Sequence, residues 1–353
     1  MGYIVLAIYF VTILLALLKD FVYRYRFYIY IGLTTALVLT AGLRPVGIDP
    51  DSDNYYSSFV HYDSPDILES VEITYLFISR IVHLFSNDVH WLFIIYAFFG
   101  VGLKLYAVRR LSSFFFLPIA IYLSYYFVQH ECMQIRTGVL SGLMLLMLLY
   151  IGNKERKKAF LLLIIGTLFH YSALLLIPLF FLKNNKIKNR DIVVWSSIIP
   201  FAYVLYFAGV TLFLDNLSEL PFVGTKLASY QTSTIKGTSE SGINVFSPLQ
   251  ILSTFIYFYL LFFHKTLETN DRYFPILIKT YGLGLFCYVA ISFFPVVGER
   301  IALLYKVASI LLFADIYYTI RPRWASILIV ACIGTLYMNY CLNNVGLILF
   351  WEV

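Results

Sequence analysis

The sequence predicts an all-α fold, a polytopic transmembrane helical bundle, and three observations carry that reading. Of 353 residues, 60% are hydrophobic and only 13% charged, against about 25% charge in an ordinary soluble domain. Apolar runs of about 17–25 residues recur along the chain, each long enough to cross a hydrocarbon core. These runs are continuously apolar rather than alternating, which suits helices and not barrel strands. The expected architecture is one integral membrane domain, 1–353, of about 12 spans.

Taken in order, spans are expected near 2–18, 27–43, 91–107, 114–129, 133–151, 192–214, 248–264, 275–295, 299–319 and 324–342. The first lacks a basic leader and a small-residue cleavage site, so it is read as a retained span. Two shorter apolar stretches, 158–169 and 171–182, flank His170. Basic loops bound them on both sides, so they form a short helical hairpin over 158–182 with His170 at its apex. A further apolar stretch at 73–86 is taken as a re-entrant or interfacial helix.

Orientation follows from the basic loops: Lys19, Arg24 and Arg26; Arg109 and Arg110; Lys154, Arg156, Lys157 and Lys158; Lys183, Lys186, Lys188 and Arg190; Arg321 and Arg323. Placing all of them in the cytoplasm satisfies the positive-inside bias and puts both termini outside. The net charge of +6 belongs to this bias, so no nucleic-acid partner is expected. Two larger loops then face outward, 44–72, rich in acids, and 215–247, rich in Ser, Thr and Gly.

The four cysteines, Cys132, Cys287, Cys332 and Cys341, show neither CxxC spacing nor a cysteine–histidine cluster, and read as packing residues. No metal site or cofactor is expected. A Gly-rich phosphate loop is absent from the sequence, which argues against ATP or a nucleotide-sugar as substrate.

Ionisable groups in or beside apolar spans are costly and call for a reason each. On this topology Arg44, Asp49, Asp53, Glu72, His130, Glu131, Arg136, His170, Glu299 and Arg300 gather at the outer ends of helices. Arg44, Arg136 and Arg300 sit where the positive-inside bias disfavours them. Snorkelling or ion pairing explains each alone; an anion site explains all three, because the guanidinium fork fits phosphate oxygens. His170 is either a hydrogen-bonded turn residue or a group that transfers a proton or binds phosphate. Asp49, Asp53 and Glu72 are either solvated loop acids or a general base. Glu299 and His130 are further candidates. Lys306 and Asp315 are read as structural contacts within the bundle.

The stretch Gly42-Leu43-Arg44-Pro45-Val46-Gly47-Ile48-Asp49, followed by Asp53 and Tyr55-Tyr56, resembles the R-x-x-G-x-D…Y pattern of EpsG-like polysaccharide polymerases. Glu72, Gln134-Ile135-Arg136, Phe169-His170-Tyr171-Ser172-Ala173-Leu174 and Glu299-Arg300 resemble that family's later motifs, in order. The match departs at Thr137-Gly138. The family includes Wzy-type O-antigen polymerases. The resemblance implies a C-type-glycosyltransferase-like membrane enzyme of the bacterial inner membrane with its site facing the periplasm. It would transfer a glycan from undecaprenyl diphosphate to a second lipid-linked repeat unit. Implied partners are the lipid-linked donor and acceptor, membrane lipid and a chain-length regulator protein. On that reading Arg44, Arg136 and Arg300 hold the diphosphate. His170, Asp49, Asp53 and Glu72 compete for the catalytic proton transfer.

Rival readings are a lipid-linked oligosaccharide flippase, an O-antigen ligase and a membrane acyltransferase. A flippase would more often show internal repeats, an acyltransferase has no need of three outer arginines, and the ligase shares the chemistry but not the acceptor.

Overall fold

The computed structural model describes residues 1–208, 243–292 and 294–345, and these residues are helical with no strand among them. The expected outer loop 215–247 lies mostly outside the described residues. Helix α1 (Gly2–Leu17) turns through two short segments into α2 (Arg26–Gly42). Next come α3 (Ser52–Val60), α4 (Ile73–His83) and the long α5 (His90–Leu111). Helix α6 (Phe116–Ile121) continues without a break into a π-helical stretch, Tyr122–Met133. Helices α7 (Ile135–Gly152) and α8 (Arg156–Phe169) follow, then a 3₁₀ helix, Tyr171–Phe181. The remainder comprises α9 (Asn189–Phe207), α10 (Pro248–Phe262), α11 (His264–Asn270), α12 (Phe274–Ala290), α13 (Pro295–Lys306) and α14 (Arg323–Val345).

Helices α5, α7 and α9 and the stretch Arg323–Asn343 are each long and apolar enough to cross a membrane. Two bent pairs raise the number to six: Gly2–Leu17 with Lys19–Gly42, bent by 91°, and Val297–Lys306 with Ser309–Tyr318, bent by 44°. The sequence reading expected more spans because it counted shorter apolar helices, such as α10 and α12, and the run through Phe116–Met133. Large side chains such as Phe10, Phe98, Phe201, Phe255 and Phe262 are exposed. Exposed apolar surface on this scale is the mark of a lipid-facing protein, and the chain is a polytopic membrane protein.

The described residues fall into two compact units. One takes its described residues from Met1–Asn184, Thr266–Ile276 and Ser309–Val353, the other from Asn185–Lys265 and Leu277–Ala308. In the first unit α2 packs on α5, α5 on α7, and α7 on α8. Glycines allow these close crossings, as small residues do between membrane helices. A Cβ on Gly42 would fall 2.4 Å from Ile94 Cγ1, and one on Gly142 would fall 2.7 Å from Leu103 Cβ.

The hairpin segment departs from a pair of α-helical arms. His170 adopts an extended conformation (φ −160°, ψ 126°), and the arm after it is 3₁₀, with Pro178 inside it. A 3₁₀ helix rises about 2.0 Å per residue against 1.5 Å in an α-helix. Eleven residues therefore reach about 22 Å, further than an α-helical arm of the same length.

The second unit is tied by α9 and α10, where the Tyr257 hydroxyl donates to the Trp195 carbonyl at 2.7 Å. Ser247 caps α10 by accepting from Gln250 N at 3.3 Å, with Pro248 in the first turn. Lys306 donates to Gln250 Oε1 at 2.7 Å and lies 4.0 Å from the Tyr288 ring centre, consistent with a structural contact.

Candidate active site

Three helix ends of the first unit, the C-terminus of α8 and the N-termini of α4 and α7, meet beside α3. Glu72 is the residue just before α4, where the backbone is extended (φ −73°, ψ 155°). Its side chain is buried, and both carboxylate oxygens are occupied. Oε1 lies 2.5 Å from His170 Nδ1, and Oε2 accepts from Arg136 Nη1. Since an ionised carboxylate only accepts, Nδ1 carries the proton in this pair. His170 Nε2 is then left without a partner among the described residues. The His170 and Arg136 side chains are 21% and 24% exposed, against 3% for Glu72. A buried acid thus holds a histidine and an arginine side by side, both open to solvent.

Burial raises the Glu72 carboxyl, but the His170 hydrogen bond and the Arg136 and His170 charges outweigh it, holding the group below its ordinary 4.5. It therefore stays ionised at neutral pH.

An aromatic floor supports this triad. The Arg136 guanidinium lies 5.7 Å from the Tyr55 ring centre. Tyr55 packs against Tyr75 and Phe93, and the Tyr75 hydroxyl donates to the Tyr55 carbonyl at 2.7 Å. Thr74 Oγ1 donates to the Leu168 carbonyl at 2.7 Å, fastening α4 to the end of α8 two residues before His170.

Arg44 and Asp49 form a second, buried pair beside Phe93. Arg44 Nε donates to Asp49 Oδ2 at 3.1 Å and Nη1 to the Ala41 carbonyl at 2.7 Å, while Cζ stands 4.0 Å from the Phe93 ring centre. Nη2 is buried without a hydrogen-bond partner. Asp49 Oδ1 accepts from the backbone amides of Asp51 and Ser52. Gly47 between them has φ +84°, a left-handed conformation that favours glycine. Its amide donates to Ser52 Oγ at 2.9 Å. His90 Nε2 lies 3.1 Å from the Arg44 carbonyl oxygen. The R-x-x-G-x-D stretch is therefore a self-locked loop whose arginine and aspartate face inward.

Asp53 is exposed in the first turn of α3. Glu299 and Arg300 belong to the second unit and are exposed on α13. His130 and Glu131 are not in the outer turn that the sequence reading drew. They lie within the π-helical stretch and are fully buried.

The π winding explains this placement. It closes with Gln134 N donating to Gln129 O, an i→i+5 bond, at 3.0 Å. Residues nine apart face opposite sides of an α-helix of 3.6 residues per turn, yet Tyr122 donates to Glu131 Oε1 at 3.0 Å. Lys104 Nζ reaches the same oxygen at 2.5 Å and the Gly138 carbonyl at 2.5 Å. His130 Nδ1 lies 3.1 Å from Ser141 Oγ. Glycines make the room: a Cβ on Gly100 would sit 2.0 Å from Glu131 Oε2, and one on Gly138 would sit 2.7 Å from the His130 carbonyl oxygen. The departure at Thr137-Gly138 thus has a packing reason.

A family model described as the EpsG family matches residues 27–348. The chain belongs to the EpsG family. Among curated proteins it is similar to the Amylovoran biosynthesis protein AmsC of Erwinia amylovora, 24% identical over 322 residues, covering 86% of this chain and 83% of that protein. No solved structure matches.

Sequence reasoning missed Lys104, His90 and Tyr122. Lys104 had left a signal, as the one charged residue within the expected span 91–107. His90 looked like a loop residue, and Tyr122 was one aromatic among 30 tyrosines.

Proposed function

We propose that this EpsG-family protein is a membrane glycosyltransferase that polymerises lipid-linked oligosaccharide repeat units into a surface polysaccharide. The observation that carries the proposal is the Glu72 triad, which presents His170 and Arg136 together to solvent. The relative named for amylovoran biosynthesis supports the same class of product. The donor is a glycan on undecaprenyl diphosphate, the acceptor a second lipid-linked unit, and the site faces the periplasm from the inner membrane.

In this reaction His170 Nε2 takes the proton of an acceptor hydroxyl as its oxygen bonds the donor's anomeric carbon. The bond from that carbon to the phosphate oxygen breaks, and undecaprenyl diphosphate leaves with the electron pair. Glu72 fixes the tautomer and orientation of His170 and stabilises the imidazolium that forms, as the acid of a catalytic triad does. Arg136 faces the departing diphosphate and offsets its charge. Inversion at the anomeric carbon follows from direct attack. With both Asp49 oxygens engaged and Arg44 buried, those two residues serve to shape the loop beside the site. A chain-length regulator is a further proposed partner.

Cells lacking the gene test this reading. They should accumulate lipid-linked single repeat units on the periplasmic side, and His170→Ala should fail to restore polymer. Accumulation on the cytoplasmic side would instead assign a flippase. Accumulation of full-length polymer on undecaprenyl diphosphate would assign a ligase.

A further inference from the structure

The end of the first unit opposite the triad carries an unassigned polar cavity. It has a volume of about 300 Å³ and lies between the start of α2, the end of α5 and the turn into α6, with Arg26, Tyr30, Arg109 and Ser113 in its lining. A neighbouring cavity of about 260 Å³ shares Arg26 and Ser113 and adds Lys19 and Asp20. Helix α2 has 17 residues, so at 1.5 Å per residue this end lies about 25 Å from the Arg44 end, close to the thickness of a hydrocarbon core.

Three features distinguish the notch from an ordinary basic loop. Among the described residues, neither the Arg26 nor the Arg109 side chain has a carboxylate partner or a hydrogen bond. Arg26 is instead stacked 4.4 Å from the Tyr23 ring centre, which orients a guanidinium without consuming its donors. Tyr23 and Phe27 line the two cavities, and Phe21, Tyr25 and Tyr28 on the same stretch of chain are also exposed, an aromatic cluster of the kind found at the membrane–water interface.

We propose that this notch binds the headgroup of a doubly anionic phospholipid, with cardiolipin as its occupant. Lys19, Arg26 and Arg109 against Asp20 leave a charge of 3 − 1 = +2, which matches two phosphodiesters. Unpaired guanidiniums suit phosphate oxygens through paired N–H donors. Ser113, whose hydroxyl has no partner among the described residues, supplies one more donor. The positive-inside bias puts this end at the cytoplasmic leaflet, where basic pockets between helices bind such headgroups.

The test uses the full chain, delipidated in a neutral detergent, and reads its Tm on addition of cardiolipin, phosphatidylglycerol at matched phosphate, or phosphatidylethanolamine. Cardiolipin is expected to raise Tm more than either other lipid. Arg26→Gln/Arg109→Gln should lose that increment, while Arg156→Gln/Lys157→Gln, an exposed basic pair elsewhere, keeps it. Equal shifts with cardiolipin and phosphatidylglycerol, or a full increment in the Arg26/Arg109 variant, would overturn the assignment. If that variant does not fold, native mass spectrometry of the wild-type protein decides. A retained cardiolipin supports the site, and its absence at saturating lipid refutes it.

Discussion

Replacing Glu72 with glutamine keeps the size of the side chain but removes the charge that His170 and Arg136 share. In the wild-type protein each carboxylate oxygen serves one partner. The amide offers one oxygen and one NH₂, so either Arg136 faces a donor, or His170 accepts at Nδ1 and carries its proton on Nε2, the wrong tautomer for a base. Hydrogen bonds to charged groups contribute about 1.5–3 kcal/mol, and the partial exposure of both partners favours the lower part of that range. The effect on catalysis is larger. A misoriented or wrong-tautomer histidine forfeits general-base catalysis worth roughly 10²- to 10⁴-fold, or about 2.7–5.5 kcal/mol at 1.36 kcal/mol per tenfold. The assay is initial polymer formation from a lipid-linked repeat unit, with Tm measured on the same sample. Glu72→Gln should fold, with a modestly lowered Tm and kcat reduced by at least about 10². Wild-type kcat in a folded Glu72→Gln protein would refute the role of the triad.

Other consequences follow from the same geometry. Gly100→Ala places a methyl 2.0 Å from Glu131 Oε2 and should lower Tm sharply; an unchanged melt would mean that α5 and the π-helical stretch separate easily. Lys104→Met leaves the buried Glu131 without its counter-charge and should cost about 3–5 kcal/mol, with Lys104→Met/Glu131→Gln recovering part of it in a denaturation series. Gly47→Ala, at φ +84°, should cost about 1–2 kcal/mol and lower activity through the Arg44–Asp49 loop. Because the folded Glu72 carboxyl lies below 4.5, its contribution to stability is full above its unfolded value and is lost as pH falls through the folded one. The Tm difference between wild type and Glu72→Gln should shrink as pH falls below about 5.

The helical membrane class was legible because apolar run length and low charge report it directly. Glu72, Arg136 and His170 were legible as candidates because each is a charge or histidine at the border of an apolar run, where it needs a reason. That they meet on one carboxylate was not, since the contacts join residues 64 and 98 positions apart. Asp49 and Glu72 looked alike as loop acids. Only backbone geometry separates one that accepts two loop amides from one that orients two side chains. His130 and Glu131 were misplaced because span counting assumes α-helical winding, whereas the π winding of Tyr122–Met133 turns Glu131 onto the side of Tyr122 and Lys104. Lys104 was passed over because its run is otherwise apolar, although a lysine with no exposure must have a partner.

The most direct test of the polymerase proposal is reconstitution of the purified protein in lipid with an undecaprenyl-diphosphate-linked repeat unit, resolving the products by gel. A ladder from wild type that vanishes in folded His170→Ala and Arg136→Ala is the predicted result. A ladder of wild-type intensity from His170→Ala, or no ladder from folded wild type with its cognate substrate, would contradict it.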